Sequence, residues 1–531
     1  MLRETWDYWK FNNLELVGKV PTSTRLKDEE LTYYRSMSKF SEYYGPFKQP
    51  LIDKAGEAFY VVRPVRANVD ETLRSWDQKK ETSFENLTSF KLSTLFLDKY
   101  YGALCSDNVA TEEEVSEYVD YTKSPGYPGN YWNIMTKMDL VKDPGYLRWW
   151  KENSYDYDPY YTISPKKEYQ PIDDIRLIKD GGRQKIRLFT IPPYHLLWEQ
   201  LRFGKRISLR LKQYKWSAYG FNPYRGGVNA LANRLLTKRV RFFYDVSGWD
   251  KFLPLMKSVF DFVERNSNVD SYPEHIRKAY DWMKQHSTEY LIKLYDGSVF
   301  KKKYGNASGS GTTTRDNILA HILIVAAFLI EAYYIKNGVY PSFSDLDSQI
   351  VQLFGDDSIM SVDEDYDYVL HPGFLEGFFG RFGMKLKFLL RGLDYPLEKM
   401  QFLGFTFRKI DGHYYPLFDT TRLATTMLYD GIDSLNREAF ISRAFVLYFM
   451  SFSSDDHIIF RQAYGNLLSV YRRFGDLTVA EDTFVTLGLL SQSDMKQIYQ
   501  GLESSYLSSV FKFFSDPMEE EGFKNFLHDV C

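Results

Sequence analysis

A chain of 531 residues with 44% hydrophobic content can bury more than one core, so several subdomains are expected and extensive disorder is not. The formal net charge of −3 excludes a uniformly basic nucleic-acid binder, although an enclosed channel can be locally positive beneath an acidic exterior. Cys105 and Cys531 are the only cysteines, which excludes a disulfide framework and a cysteine-based zinc site and fits a reducing cytosolic compartment.

In chain order, Met1 to Lys10 carries charges and no apolar core, unlike a secretory signal. Residues 1–108 are polar and aromatic-rich, without a clear periodicity. The 42 Tyr and 40 Phe of the chain are read first as core, with base stacking as their second use. Ser124-Pro125-Gly126-Tyr127-Pro128-Gly129 must be loop, and Lys179-Asp180-Gly181-Gly182-Arg183 is a second turn with basic flanks. Arg183-Gln184-Lys185-Ile186-Arg187 alternates charge, which puts Arg183, Lys185 and Arg187 on one face of a predicted strand.

Arg239 to Asp245 predicts another strand, ending in the Ser247-Gly248 turn and running into a helix through Phe260 and Val263. Thr313 to Ile335 predicts a long buried helix. Its apolar stretch, Ile318 to Ile330, is interrupted by His321 and falls short of the roughly 20 residues of a membrane span. Ile350–Phe354 and Ser358–Val362 predict two strands around Gly355-Asp356-Asp357, hence a hairpin. Phe402 to Phe407 is a further predicted strand. From Asp419 onward the periodicity is mainly helical, notably over Arg437–Phe452 and Ile458–Phe474.

Two places concentrate carboxylates on predicted strand ends. One is Asp245-Val246-Ser247-Gly248-Trp249-Asp250, the other the hairpin tip Asp356-Asp357. Hard cations such as Mg²⁺ take oxygen ligands from a few carboxylates plus substrate phosphates, so such a pair of sites suits metal-assisted phosphoryl chemistry. Each motif alone has a plainer reading. Gly and Asp are ordinary turn residues, Asp250 could cap a helix, and Thr313 and Asn317 could satisfy a helix start.

The order of the motifs carries more weight than any of them. The chain resembles the right-hand RNA-dependent RNA polymerases of RNA viruses from about Ser124 to Phe407. Asp245–Asp250 resembles motif A, Ser308-Gly309-Ser310-Gly311-Thr312-Thr313-Thr314-Arg315-Asp316-Asn317 motif B, and Gly355-Asp356-Asp357 motif C. Arg183–Arg187 resembles motif F and Ser124-Pro125-Gly126-Tyr127-Pro128 motif G. Gly383-Met384-Lys385-Leu386-Lys387 resembles the start of motif D, and Phe402-Leu403-Gly404-Phe405 resembles motif E. A reverse transcriptase usually carries a bulky ring at the position of Asp250 and an aromatic residue at that of Gly355. Size and the wording around Asp245–Asp250 most resemble polymerases of picobirnaviruses, with partitiviruses next.

The resemblance implies a mixed α/β (α+β) right hand: a palm built on an antiparallel sheet with packed helices, and a mainly helical thumb. Residues 1–108 would bridge fingers and thumb, 109–239 and 266–307 would be fingers, 240–265 and 308–407 palm, and 408–531 thumb and C-terminal region. It implies Asp245, Asp356 and Asp357 as catalytic residues and, with Val246, as ligands of two Mg²⁺ ions that Mn²⁺ can replace. Asp250, Ser308, Thr313 and Asn317 would select the ribose, with Thr313 and Asn317 on one helix face meeting Asp250. Arg183, Lys185 and Arg187 would bind triphosphate. Lys385, Lys387, Arg391 and Lys399 are all candidates for the general acid, and spacing does not choose among them. Ser124, Pro125 and Gly126 would guide template, and Phe402, Leu403 and Gly404 would support primer.

The implied partners are template RNA, nascent RNA, nucleoside triphosphates and a viral capsid protein, with no membrane span. The implied locations are the virion interior and the host cytoplasm. Two other classes stay open at this point: a metal-dependent phosphohydrolase, and a non-catalytic RNA-binding or capsid-associated protein descended from a polymerase.

Overall fold

The computed structural model describes residues 13–21, 33–37, 48–62, 65–77, 82–166, 169–173, 186–430, 437–473 and 492–500. Met1–Lys10, the turn Lys179-Asp180-Gly181-Gly182-Arg183, Lys185 and Cys531 lie outside the described residues.

At the centre is a four-stranded sheet in the order Ile350–Phe354, Asp357–Val362, Val240–Val246, Leu386–Leu393, antiparallel throughout. The Val240–Val246 strand is apolar on one face, whereas the other carries Arg241, Phe243 and Asp245. Phe242, Tyr244 and Val246 point into one core, while Phe243 on the alternate face joins a second. The first core is built on aromatic contacts: Phe242 lies 6.1 Å from Phe328 and Tyr244 5.0 Å from Phe379, ring centre to ring centre.

Beneath the sheet runs the 25-residue helix Thr313–Asn337, packed against the helix Thr88–Tyr101. It is apolar on nearly every side, the pattern of a buried helix rather than an amphipathic one. The helix is longer than its apolar stretch suggests, and its length and mean hydropathy of 2.2 would suit a membrane span. In this fold 78% of that apolar window is buried inside the protein. The helix Met256–Ser267 follows the Val240–Val246 strand after a short turn of helix at Trp249–Phe252.

A second sheet has the order Leu14–Lys19, Ser298–Lys302, Tyr290–Lys293, Tyr160–Pro165, Leu188–Ile191, with its one parallel pairing between Tyr160–Pro165 and Tyr290–Lys293. Of the strand expected over Arg183–Arg187, residues 183–185 lie outside the described residues, Ile186 and Arg187 are in no strand, and the described strand starts at Leu188. Phe402–Phe407 is also not continuous. Phe402 pairs with Phe405, so Leu403-Gly404 is a two-residue hairpin turn between Gln401–Phe402 and Phe405–Ile410. With His413–Phe418, these two strands form a separate three-stranded sheet. Helices then follow at Thr420–Leu428, Arg437–Met450, His457–Arg473 and Gln492–Gln500.

The N-terminal region is sewn into distant parts of the chain. Leu14–Lys19 pairs with Ser298–Lys302, Phe59–Val62 with Tyr169–Pro171, and Ser36–Met37 with Tyr429–Asp430. The helix Gln49–Ala55 packs on Thr420–Leu428, and Lys54 reaches Asp456 at 2.5 Å.

Phe328 touches the central strand and is fully buried, whereas Leu95 is 55% exposed. Phe328→Ala should lower the unfolding free energy in urea by about 3–5 kcal/mol, and Leu95→Ala by less than about 0.5 kcal/mol. Equal effects would contradict the placement of the core.

Candidate active site

Asp245 is the penultimate residue of its strand, and Asp356 occupies the loop of the adjacent hairpin. The register Met360 opposite Phe242 and Phe354 opposite Asp357 brings the hairpin tip to the end of the sheet where Asp245 lies. Gly355 has φ +62°, the conformation a two-residue loop requires at its first position. The three carboxylates therefore share one end of the sheet.

Asp356 and Asp357 are exposed at the surface of the hairpin tip, although protein atoms crowd around their carboxyls. Burial, and then the charge of Asp245, hold the Asp356 carboxyl above its ordinary range. Asp357 is likewise raised, by burial and by Asp356 and Asp245. The positive charge of Arg187 opposes the rise at both, and that of Lys387 also at Asp356. Val246 turns its side chain into the core, so its backbone carbonyl is what it can offer a cation.

The structure distinguishes the motif D candidates. The strand Leu386–Leu393 pairs Leu386 with Val246 and Phe388 with Asp245, leaving Lys387 as the extra residue of a bulge. Bulges re-aim side chains. Here Lys387 Nζ donates to Asp245 Oδ2 at 2.9 Å. Arg391 instead donates to the Val369 carbonyl and lies 3.7 Å from Glu376. Lys385 accepts the Ser247 N–H through its backbone, and Lys399 sits exposed in the short helix Leu397–Lys399.

Behind the turn after Asp245, Asn317 Nδ2 donates to Asp250 Oδ1 at 2.7 Å. Trp249 Nε1 and Asn306 Nδ2 both donate to Asn317 Oδ1, at 3.2 and 3.0 Å. Thr313 departs from expectation. Its hydroxyl lies 2.6 Å from the Ala307 carbonyl and 2.9 Å from that of Ser310, so it shapes the loop ahead of its helix rather than meeting Asp250. Ser308 Oγ accepts the Thr190 N–H at 3.3 Å. A Cβ on Gly309 would stand 2.2 Å from the Thr190 carbonyl oxygen, so only glycine fits this approach of loop to strand. Burial, with repulsion from Asp356, pushes the Asp250 carboxyl up to about 6 against the Asn317 bond.

His321, in sequence only an interruption of an apolar run, is a buried polar link between two of the site's segments that pattern reading missed. Burial lowers it to about 4, so it is neutral. Its Nδ1 lies 3.0 Å from the Gly355 carbonyl, which can only accept, so Nδ1 donates and Nε2 accepts the Tyr244 hydroxyl at 2.7 Å. One imidazole thus ties the residue before Asp245 to the residue before Asp356. The Trp249 ring packs on it at 4.4 Å.

Of the expected triphosphate ligands, Arg183 and Lys185 lie outside the described residues. Arg187 is exposed, and its charge acts on Asp250, Asp356 and Asp357. The Pro125 carbonyl accepts the Tyr194 N–H, and Ser124 Oγ the Gly126 N–H, which seats this loop at the start of the helix Tyr194–Arg210. Phe402 is buried in the second core, and Leu403 and Gly404 form the half-exposed hairpin tip.

Among the described residues, no group of three His, Cys, Asp or Glu side chains is placed to hold a metal ion by itself. The donor set nevertheless fits Mg²⁺, which is usually held by one or two carboxylates completed by water and substrate phosphate. The mutual repulsion that raises Asp356 and Asp357 is the unbalanced charge a divalent cation relieves.

An antiparallel sheet thus carries these aspartates, with an amide–carboxylate pair beside them. Residues 60–506 match the family described as viral RNA-dependent RNA polymerase, and the chain belongs to it. It is 23% identical over 234 residues to the non-structural polyprotein 1AB of turkey astrovirus 2, covering 43% of this chain and 14% of that polyprotein. It is 30% identical over 141 residues to the genome polyprotein of turnip mosaic virus (strain Quebec), covering 26% of this chain and 4% of that polyprotein. The chain thus spans a small part of the length of these relatives.

Because Asp250 has a raised folded-state value, its ionisation weakens the fold. The stability it contributes is complete below about pH 4 and is lost as pH rises through about 6. In metal-free buffer, Asp250→Asn should match wild type in thermal midpoint near pH 4 and exceed it increasingly up to about pH 6–7. A constant difference across that range would contradict the assignment.

Proposed function

We propose that the protein is an RNA-directed RNA polymerase that extends an RNA strand on an RNA template from nucleoside triphosphates, for viral genome replication and transcription. The observation that carries this reading is the placement of the Asp250–Asn317 pair beside the Asp245, Asp356 and Asp357 carboxylates. A phosphohydrolase has no use for a sugar-sensing pair, and a non-catalytic RNA binder has no use for repelling carboxylates.

In this reading the central sheet is the palm of a right hand. Residues 109–239 and 266–307 form the fingers, 240–265 and 308–407 the palm, 408–531 the thumb and C-terminal region, and 1–108 a bridge. Asp245, Asp356, Asp357 and the Val246 carbonyl would hold two Mg²⁺ ions, or Mn²⁺ on the same oxygens. Bound there, the cations supply Lewis acidity to the attacking 3′-hydroxyl and charge balance to the departing pyrophosphate. Arg187, with Arg183 and Lys185, steadies the triphosphate. Asp250 accepts from the ribose 2′-hydroxyl and Asn317 holds Asp250 in place, with Ser308 shaping the loop beside them. Lys387 is the proton donor to the leaving group, released from Asp245 as phosphate arrives. Ser124, Pro125 and Gly126 guide the template, and the Leu403-Gly404 tip supports the primer. Sequence readout is left to base pairing.

The wording of Asp245–Asp250 supports a picobirnavirus-type enzyme, with partitiviruses second. Such an enzyme would work beside capsid protein, inside the virion and in the host cytoplasm.

Labelled-nucleotide incorporation on single-stranded RNA with Mg²⁺ tests the reading. Wild type should make RNA and Asp356→Ala none. Failure of wild type under every metal and primer condition, with RNA binding intact, would favour the non-catalytic alternative. Lys387→Leu should lower kcat by about 10²-fold or more, while Lys399→Ala leaves it nearly unchanged. A wild-type kcat for Lys387→Leu would remove the proton-donor role.

A further inference from the structure

Asn306 stands in the loop between the strand Ser298–Lys302 and the helix Thr313–Asn337, and nothing in the sequence pattern singles it out. It is 3% exposed. Its backbone N–H donates to the Asp250 carbonyl at 2.6 Å. Both hydrogens of its side-chain amide are engaged, with Nδ2 3.2 Å from the Thr313 carbonyl and 3.0 Å from Asn317 Oδ1.

An amide has a donor end and an acceptor end, and turning it over exchanges them. Asn317 Oδ1 receives two donors, from Asn306 and from Trp249 Nε1. Those donors leave one orientation for Asn317, the one that aims Nδ2 at the Asp250 carboxylate, 2.7 Å away. With the amide reversed, its oxygen would face that carboxylate and its NH₂ would face two other N–H groups.

We infer that Asn306 is a positioning residue for sugar selection: it fixes the Asn317 amide, and through it the Asp250 carboxylate, and so sets the preference for ribonucleotides over deoxyribonucleotides. The inference rests on the reading of Asp250 and Asn317 as the sugar-sensing pair.

The loop itself is held independently of this side chain. Lys302 Nζ donates to the Lys251 carbonyl at 2.7 Å and to that of Tyr304, and the Gly305 N–H donates to the Leu253 carbonyl at 3.0 Å. A substitution at Asn306 therefore acts on the amide rather than on the path of the backbone. Asn306→Asp keeps the shape but places an acceptor against Asn317 Oδ1, which favours the reversed amide. Asn306→Ala leaves Trp249 as the single donor.

The experiment is steady-state incorporation of matched NTP and dNTP by the full chain, with kcat and KM for each. The NTP/dNTP ratio of kcat/KM should fall about tenfold or more for Asn306→Asp and less for Asn306→Ala. Unchanged ratios in both overturn the inference. Asp250→Ala and Asn317→Ala run in parallel. If these collapse the ratio while the Asn306 variants do not, the inference alone fails. If these also keep the wild-type ratio, the sugar-sensing reading fails and the inference with it. Should Asn306→Asp not fold, Asn306→Ala and Trp249→Phe decide, since each removes one of the two donors. A lower ratio in both supports the inference, and unchanged ratios overturn it.

Discussion

Repulsion among carboxylates gathered at one end of a four-stranded sheet is the constraint on which the rest of this structure depends. Like charges held close together at a protein surface repel one another, and the fold must offset that repulsion. Asp245, Asp356 and Asp357 are held together by apolar burial that does not involve them. The Val240–Val246 strand contributes to a core on each face, with Leu386–Leu393 paired along its length and Asp357–Val362 paired over Val240–Phe242. Tertiary packing elsewhere supports a local arrangement that is unfavourable by itself.

The groups around the carboxylates divide by what they must do during a reaction. Lys387, on the open side, is 55% exposed, and an exposed ion pair is worth only about 0–1 kcal/mol. Such a pair is easily exchanged for a cation or a phosphate, which suits a group that has to let go. Behind the carboxylates the orienting side chains are uncharged and buried: His321 between Tyr244 and Gly355, and Asn317, which accepts from Trp249 and Asn306 and donates to Asp250. Uncharged side chains orient groups without adding to the charge already there.

The parts of this arrangement that were legible in the sequence are those with a local signature. The central strand, the long helix and the Gly355 hairpin follow from apolar runs and turn chemistry, and the motif order pointed to the aspartates. Bulges and long-range pairings leave no such trace. Alternation cannot tell that Lys387 is the extra residue of a bulge, because the register is set by the facing strand. The Phe402–Phe407 run hid a turn because apolar residues flank Leu403-Gly404 on both sides. Leu14–Lys19 finds its partner nearly 300 positions later, at Ser298–Lys302. Asn306 and His321 escaped because a buried polar side chain is defined by its partners, and periodicity reports only the face it lies on.

The long helix explains how two separate tasks stay in register. Asn317 and His321 are four residues apart and so share a face. The first reaches the Asp250 side chain, and the second reaches both the central strand and the hairpin. Trp249 touches both, through Nε1 to Asn317 and through its ring to His321. The helix start is itself fixed in the interior. Gln200 Oε1 accepts the Gly311 N–H at 3.0 Å, Thr312 donates to Asp316 at 2.7 Å, and buried Arg315 pairs with Asp316 at 2.5 Å. The last two bonds lie within the helix start, so the bond from Gly311 to Gln200 is the one that ties this end to the neighbouring helix Tyr194–Arg210. A shift along its axis would disturb Asp250, Tyr244 and Gly355 together. One buried helix therefore serves as a common reference for Asp250 and for Asp245 and Asp356, which lie on separate segments of chain.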